Sequence, residues 1–231
     1  MKSFHSEKLS ESPRSSGLYF DEENHKYFYD GIQAPSVTTV LKNERFFDDT
    51  WFTEEAKIRG SVVHKATELL DHGKLDWFNV KEEYIPRVKA WELFKSDYDF
   101  RCEPINIELR GFHPLYRYAG TFDRLCHLGP DNSWWLIDIK TGPKYAWWPL
   151  QLGGYLEMLR FIEHLKSLSL GVANVNCGCV ELRKDGSYKL HSYAKAEMVA
   201  AYKTFLNAVN IYNWKTKNGV SKVESSEEEW G

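Results

Sequence analysis

The chain has no long hydrophobic run, few cysteines and almost no net charge, and each of these absences excludes a class of protein. None of its apolar stretches approaches the roughly 18 residues that a membrane-spanning helix needs, so none is expected. Four cysteines in 231 residues, without a C-x-x-C pair, are too few for a disulfide-stapled secreted domain. A formal net charge of -3 argues against a protein that coats nucleic acid by bulk positive charge.

The cysteines are also poorly spaced for a metal or cluster site. Cys102 and Cys126 stand alone, while Cys177 and Cys179 are two residues apart in an apolar stretch, on one face of a strand. A zinc or iron–sulfur site needs closer spacing and further ligands nearby. The spacing therefore predicts buried, reduced thiols and no iron–sulfur cluster.

The two ends of the chain differ from its body. Residues 1–16 lack the apolar segment of a secretory signal and carry acidic residues that a mitochondrial presequence avoids. We expect a disordered leader there and a cytoplasmic protein, in the host cytoplasm if a phage encodes it. Residues 218–231 contain one lysine and four glutamates, which predicts an acidic, disordered tail. Residues 183–217 hold seven basic and two acidic residues, so the small net charge hides a basic segment.

Hydrophobic spacing predicts a single α/β domain over residues 17–217. Aromatic residues around an Asp/Asn-rich turn predict two strands between residues 18 and 33. Helical periodicity predicts helices at about 36–41, 53–72, 82–96, 147–166 and 196–212. Alternation predicts strands at 105–110, 116–127, 134–140, 175–183 and 188–193. No linker or repeat divides the pattern, so we expect a central curled, mixed β-sheet flanked by helices.

Two carboxylates flank the turn that joins two of the predicted strands. If the turn is centred between Pro130 and Asp131, Asp123 lies directly opposite Asp138, about 5 Å away. Two carboxylates that close repel each other unless a positive charge lies between them, and Mg²⁺ or Mn²⁺ suits oxygen ligands. Alternation also puts Lys140 on the face of Asp138. A solvated strand face is the alternative interpretation of this pattern.

Two further residues are candidates for the same site. A glycine- and proline-containing loop could bring Glu108 beside Asp123. His64 lies on the polar face of the second predicted helix, away from an apolar stripe that includes Ile58 and Val62. A histidine on a polar face is usually just solvent-exposed, so both interpretations of His64 stay open.

Four short motifs follow one another between residues 60 and 155. They are Gly60-Ser-Val-Val-His64, Gly120-Thr-Phe-Asp123, Asp138-Ile-Lys140-Thr-Gly142 and Gln151-Leu-Gly-Gly-Tyr155. In this order they resemble the PD-(D/E)XK nuclease superfamily, most closely its RecB-type and phage (lambda-exonuclease-like) exonuclease branch. The chain has Phe122 where the name-giving proline would stand, a variation that this branch tolerates. The resemblance implies a restriction-endonuclease-like core and hydrolysis of DNA.

Hydrolysis of a phosphodiester bond would give each of these residues a role. The reaction needs neutralisation of the phosphate charge, an activated water and a stabilised leaving oxygen, which metal ions can supply. The expected metal ligands are Asp123, Asp138, the Ile139 carbonyl, His64 and Glu108. Lys140 would hold the water or neutralise charge in the transition state. By the resemblance, His64 binds a second metal or a phosphate, with Glu68 as its partner one turn on.

The residues that follow the Asp-x-Lys motif are candidates for substrate binding. Gln151 and Tyr155 share a helix face, which the resemblance places over the site, where they and Thr141 and Lys144 would contact the cleaved strand. A partly buried pair that packs the helix on the sheet is the alternative. Trp147–Trp148 either stack on the bases of a frayed end or belong to the core.

The sequence therefore predicts a Mg²⁺-dependent DNA exonuclease that leaves 5′-phosphate products in recombination, repair or replication. Its expected partners are DNA and a single-strand-binding or recombination protein, with no membrane. The choice of exonuclease over endonuclease or junction resolvase rests on the branch resemblance alone. A nucleic-acid-binding protein with a retired nuclease core is a further alternative, but every metal- and water-handling position is filled. Polarity, strand preference and oligomeric state stay open.

Overall fold

The computed structural model describes residues 17–48 and 52–220, so the predicted leader and nearly all of the predicted tail lie outside the described residues. A small sheet consists of β1 (Leu18–Asp21), β2 (Lys26–Tyr29) and β3 (Ile32–Ala34). The main sheet consists of β4 (Ile107–His113), β5 (Tyr118–Leu128), β6 (Ser133–Lys140), β7 (Val175–Leu182) and β8 (Tyr188–Tyr193). The α-helices are α1 (Val37–Asn43), α2 (Glu54–Asp71), α3 (Ile85–Asp97), α4 (Trp148–Met158) and α5 (Lys195–Lys217).

The main sheet is mixed, as predicted. Its strands follow the order β4-β5-β6-β7-β8, with β6 and β7 parallel and all other neighbours antiparallel. The chain leaves the carboxyl end of β6, crosses through α4 and returns to β7. In sheets of this kind, ligands bind outside the carboxyl ends of strands, where such crossovers begin.

Helices cover both faces of the main sheet. Helices α1, α4 and α5 share one hydrophobic cluster with β4–β7, while α2 and α3 share another with the opposite face. Successive residues of β6 alternate between the two, with Leu136 in the first and Ile137 and Ile139 in the second. None of the helices in the described residues is both long and apolar enough to cross a membrane.

The starts of the first two helices follow from their sequence. Ser36 Oγ accepts a hydrogen bond from the Thr39 amide at 3.0 Å, and Thr53 Oγ1 accepts one from the Ala56 amide at 3.2 Å. The predicted apolar stripe of α2 was wrong at Ile58, which is 47% exposed. The helix buries Val63, Ala66 and Thr67 in its second half. Its first half forms one wall of a cleft that is described below.

Two predicted helix ends were also wrong, and one strand was not predicted. The helix expected at 147–166 ends at Met158, and two short 3-10 turns follow, Leu159–Phe161 and Glu163–Leu168. Between them Ile162 is extended, because this conformation buries its side chain beside Gly111. In addition, β3 was not predicted, and α5 extends to Lys217.

The cysteines are free thiols, as predicted. Cys126, Cys177 and Cys179 are buried and Cys102 is half-buried. Burial raises the pKa of Cys102 to about 12, since a thiolate is poorly solvated there. These residues therefore belong to the hydrophobic interior as small apolar groups.

Gly153 lets α4 approach α5 closely, and its replacement is expected to separate the helices. A Cβ at Gly153 would lie 2.7 Å from the Tyr202 amide nitrogen and 2.8 Å from its Cα, which cannot rotate away. Gly153→Ala should lower the free energy of unfolding by about 1–3 kcal/mol in urea titrations. Gly60→Ala is the matched control within a helix, since only Thr141 Oγ1, at 3.9 Å, would be near its Cβ. It should be neutral or stabilising, and an equal loss in both variants would contradict this account.

His113 is expected to make stability depend on pH. It is buried against Tyr118 and Phe161, and its Nδ1 accepts a hydrogen bond from the Tyr116 amide at 3.3 Å. Burial lowers the pKa of His113 to about 4, against about 6.5 in an unfolded chain. The unfolded state therefore binds the proton first, and stability should fall as the pH drops from about 6.5 to about 4. Urea titrations at pH 7 and about pH 5 measure the fall in the free energy of unfolding. This fall should be smaller for His113→Asn, which retains an acceptor, than for the wild type. Equal falls in the two proteins would contradict the assignment to His113.

Candidate metal centre and its cleft

The carboxyl end of β6 lies opposite the middle of β5 in the predicted register. Arg124 lies opposite Ile137, and the same register continued by one residue sets Asp123 opposite Asp138. Oδ2 of Asp123 accepts a hydrogen bond from the Ile139 amide at 2.6 Å. The hairpin arithmetic is therefore confirmed, and it brings the two carboxylates to the carboxyl end of β6.

Three side chains converge at this point from three different elements. His64 comes from α2, Glu108 from β4 and Asp123 from β5, and one ligand atom of each lies within 4.8 Å of the others. Nδ1 of His64 lies 3.4 Å from Oδ1 of Asp123. This metal cluster, as we call His64, Glu108 and Asp123, could hold a metal ion. Ligand atoms bound at 2.0–2.1 Å lie at most about 4.2 Å apart, so only a small contraction is needed.

Glu108 occupies its place through an unusual backbone conformation. Its φ is +50°, in the left-handed region that residues other than glycine rarely adopt. The residues on either side of it, Ile107 and Leu109, pair normally with Arg124 and Phe122 on β5. Local strain of this kind is concentrated at functional sites and costs about 1–3 kcal/mol. Here it accompanies a carboxylate that faces two other candidate ligands.

Asp138 and Lys140 form a buried ion pair beside the metal cluster. Lys140 Nζ lies 2.5 Å from Asp138 Oδ2 and donates to Gln151 Oε1 at 2.7 Å. Gln151 Nε2 in turn donates to Tyr155 Oη at 2.9 Å. Gln151 and Tyr155 are both buried, so Gln151 holds Lys140 and Tyr155 holds Gln151, and neither lies on an open surface. Their contact with a nucleic-acid strand stays a prediction, as does metal ligation by Asp138, which is not part of the metal cluster.

The negative charges keep His64 protonated in the metal-free protein. Burial lowers the pKa of His64, but Asp123, Glu108 and Asp138 raise it by more, to about 9. Burial by itself raises the pKa of Asp123, whereas His64 and Lys140 lower it below its ordinary value. His64 and Asp123 therefore form an ion pair when no metal is bound.

The pKa values of the other two carboxyl groups, Glu108 and Asp138, are raised, whereas that of Asp123 is lowered. Burial, with some repulsion from Asp123, raises the pKa of Glu108. Burial likewise raises the pKa of Asp138, although Lys140 partly compensates. Crowding negative groups in a dry site makes each proton harder to remove, and a cation reverses this effect. The site is thus built to gain from a bound positive charge.

A buried arginine that the sequence analysis missed supports the metal cluster from behind. The Arg124 side chain is fully buried and donates to Asp71 at 2.7 Å, to Glu108 at 3.1 Å and to the Asp123 carbonyl at 2.6 Å. Asp71 also accepts from Trp91 at 3.0 Å and Lys95 at 2.6 Å. The available signal was an arginine directly after Asp123 and before the apolar Leu125 and Cys126 of the same strand, since a buried arginine requires acidic partners.

A cleft of about 280 Å³ leads to the site. The first half of α2 forms one wall and the segment after β6 the other. Its lining includes His64, Lys140, Thr141, Tyr145 and Trp147. Trp148 also reaches the lining, but it is almost wholly buried, so it belongs mainly to the core. Lys144 is exposed with its Nζ 5.8 Å from the centre of the Tyr193 ring, outside the lining.

Two remaining predictions concern Glu68 and Ile139. Glu68 was expected to support His64, and this stays a prediction: the contact that the structure gives its carboxylate is with Lys65 on the same helix, at 2.8 and 3.0 Å. The side chain of Ile139 is buried in the core and its amide binds Asp123. Metal ligation by the Ile139 carbonyl stays a prediction.

No protein-family model and no curated protein matches the chain. Among solved structures, it is similar to the crystal structure, at 2.19 Å resolution, of a protein from Eubacterium rectale named "Putative exonuclease". The TM-score is 0.47 at 12% sequence identity, over 83% of this chain and 77% of that chain.

Proposed function

We propose that the protein is a metal-dependent nuclease that hydrolyses phosphodiester bonds in DNA and leaves 5′-phosphate ends. One observation carries the proposal: the metal cluster lies beside a buried lysine at the end of a cleft. Phosphodiester hydrolysis needs positive charge at the phosphate, a positioned water and a stabilised leaving oxygen. Carboxylates that hold a cation, with a lysine fixed next to them, meet these needs in one place.

Lys140 is held at the wall of the cleft. An ammonium group has three donors, of which Gln151 Oε1 takes one, while Asp138 Oδ2 lies 2.5 Å from Nζ as its charge partner. Since Lys140 also lines the cleft, its ammonium group can donate there to a water or a phosphate oxygen. Burial lowers the pKa of Lys140, but Asp138 and the other nearby charges raise it by more, so the group stays cationic. Lys140 therefore acts as a fixed positive charge and hydrogen-bond donor.

The donor set suits a hard divalent cation. Glu108 and Asp123 offer carboxylate oxygens and His64 an imidazole nitrogen, which fits Mg²⁺ and fits Mn²⁺ equally or better. A bound cation of this kind neutralises phosphate charge and makes coordinated water acidic enough to attack near neutral pH. His64 must give up its proton to bind a cation, and loss of the Asp123 ion pair is then offset by the metal charge.

Digestion of linear and covalently closed circular DNA tests the activity. We expect the purified protein to degrade end-labelled linear duplex with Mg²⁺ or Mn²⁺ and to stop when EDTA is added. Exonuclease action, which follows from the family resemblance, leaves closed circles intact. Cutting of closed circles would instead identify an endonuclease or junction resolvase. A protein that binds DNA but cleaves neither form with either metal would be a retired nuclease core, and the proposal would fail.

A further inference from the structure

The cleft combines aromatic rings with positive charge. Its lining contains four aromatic side chains, Phe52, Tyr145, Trp147 and Trp148. It also contains three cationic side chains, Lys57, Arg59 and Lys140, whereas no carboxylate of the described residues belongs to it. Proteins that hold single-stranded nucleic acid combine the same two features, because cations follow the phosphates while the bases stack on the rings.

Two of these rings are accessible from the cleft. Tyr145 is 38% exposed and Trp147 is half-buried, whereas Trp148 is almost wholly buried. The rings of Tyr145 and Trp147 are nearly parallel, with an interplanar angle of 21° and a centroid distance of 6.3 Å. Phe47 stacks on Trp147 at 4.5 Å, but Tyr145 has no ring that close among the described residues. The aromatic platform, as we call Tyr145 and Trp147, therefore offers ring surface to a ligand.

The aromatic platform lies next to the lysine of the proposed active site. Lys140 Nζ is 5.1 Å from the centre of the Trp147 ring, and both side chains line the same cleft. One sugar joins the phosphate and the base of a nucleotide, so the two ends of a nucleotide span a distance of this order. The volume of about 280 Å³ is at the low end of the range for ligand sites, which suits one strand and excludes a double helix.

We propose that the aromatic platform stacks on the base of an unpaired nucleotide whose phosphate is held at Lys140. This inference rests on the proposed nuclease function for the identity of the strand. Neighbouring bases cover both faces of every internal base in a duplex, so only a single strand or a frayed end offers such a base. Stacking on a ring face is tolerant of sequence, so the aromatic platform holds any of the four bases.

Binding of short fluorescent oligonucleotides in EDTA tests this without cleavage. Tyr145→Leu should bind single-stranded DNA about 5- to 150-fold more weakly, as expected for loss of one base stack. Tyr145→Phe keeps the ring and should bind normally. Tyr19→Leu is the matched control, since Tyr19 is 54% exposed and outside the lining of the cleft. Trp147→Leu should also weaken binding, but Trp147 packs against the core, so the Tyr145 variants decide if this one does not fold.

Abasic oligonucleotides separate base stacking from other contacts. Replacing every base by an abasic residue should weaken binding to the unmutated protein, and Tyr145→Leu should cause no further loss on that strand. A loss in Tyr145→Leu that is confined to single strands assigns the base to a single-stranded substrate. A loss that also occurs with mismatched duplex ends assigns it to any unpaired end, and both results support the inference. Covalently closed circular duplex, used as a competitor, should bind equally to the variant and the unmutated protein.

Three results would overturn the inference. They are unchanged affinity of Tyr145→Leu for single strands, an equal loss in Tyr19→Leu, and an equal loss on the abasic strand. If the unmutated protein cleaves no DNA with metal but its binding depends on Tyr145 and on the bases, the proposed nuclease function fails while the base site stands. Cleavage without this dependence has the opposite meaning, because the nuclease function then stands and the base site fails.

Discussion

Lys140→Met is expected to lower the rate of metal-dependent DNA cleavage by about 10²–10³-fold, as for other fixed transition-state donors. The variant loses the positive charge that faces the cleft but retains most of the apolar stem between Trp147 and Trp148, whose ring centres lie 5.1 and 5.9 Å from Nζ. Asp138 is left without its cation, but burial already raises its pKa, so it can take up a proton. The protein should therefore stay folded.

Single-turnover cleavage of labelled duplex, with saturating Mg²⁺, measures this effect. Asp123→Asn should lose at least as much activity, because it removes a charged candidate ligand from the metal cluster while keeping an oxygen that can accept from the Ile139 amide. Lys189→Met, at an exposed position of β8, is the matched control and should cleave at the normal rate. Wild-type rates in the Lys140 and Asp123 variants, with folding verified by circular dichroism, would show that the site is not catalytic.

Arg124→Met is expected to destabilise the protein by about 3–5 kcal/mol, the usual effect of breaking a buried ion pair from one side. Asp71 is 2% exposed and would keep Lys95 but lose its guanidinium partner. Glu108 and the Asp123 carbonyl would each lose a donor as well. An effect of this size is a large part of the 5–15 kcal/mol that holds a domain folded.

Urea titration, with the midpoint and slope both fitted, measures the loss. Arg101→Met is the control, since this side chain is about half exposed and pairs with exposed Asp99, so the change should be within about 0.5 kcal/mol. Adding Asp71→Asn to Arg124→Met should recover part of the stability, because it removes the stranded negative charge. A loss below about 1 kcal/mol for Arg124→Met, or no recovery in the double variant, would contradict the account.

The sequence allowed the hairpin of the site to be predicted because strand pairing obeys simple arithmetic. The Gly129–Asn132 turn fixed the register, and the register fixed which residues oppose Asp123. The helices that supply His64 and Gln151 were also predicted, since helical periodicity is a local signal. The loop between the two strands allowed Glu108 to be expected beside Asp123, whereas the approach of His64 could be expected only through the resemblance to a nuclease family.

The features that were missed depend on distant contacts. No local sequence signal shows that Arg124 binds Asp71, which lies 53 residues earlier, at the end of α2. The end of α4 at Met158 likewise reflects burial of Ile162 against β4 rather than any helix-breaking residue. Glu68 shows the reverse case, because a local ion pair with Lys65, three residues earlier on the same helix, can be expected from helical spacing alone.

The left-handed backbone of Glu108 separates what stability requires from what cleavage requires at one position. Glycine fits a φ of +50° without steric cost, so Glu108→Gly should relieve local strain even as it deletes a candidate metal ligand. The relief is offset by loss of an acceptor of the buried Arg124, so we expect a small net change in stability and a large loss of cleavage. Laboratory evolution for cleavage should therefore retain glutamate at this codon, whereas selection for heat resistance alone should let it vary.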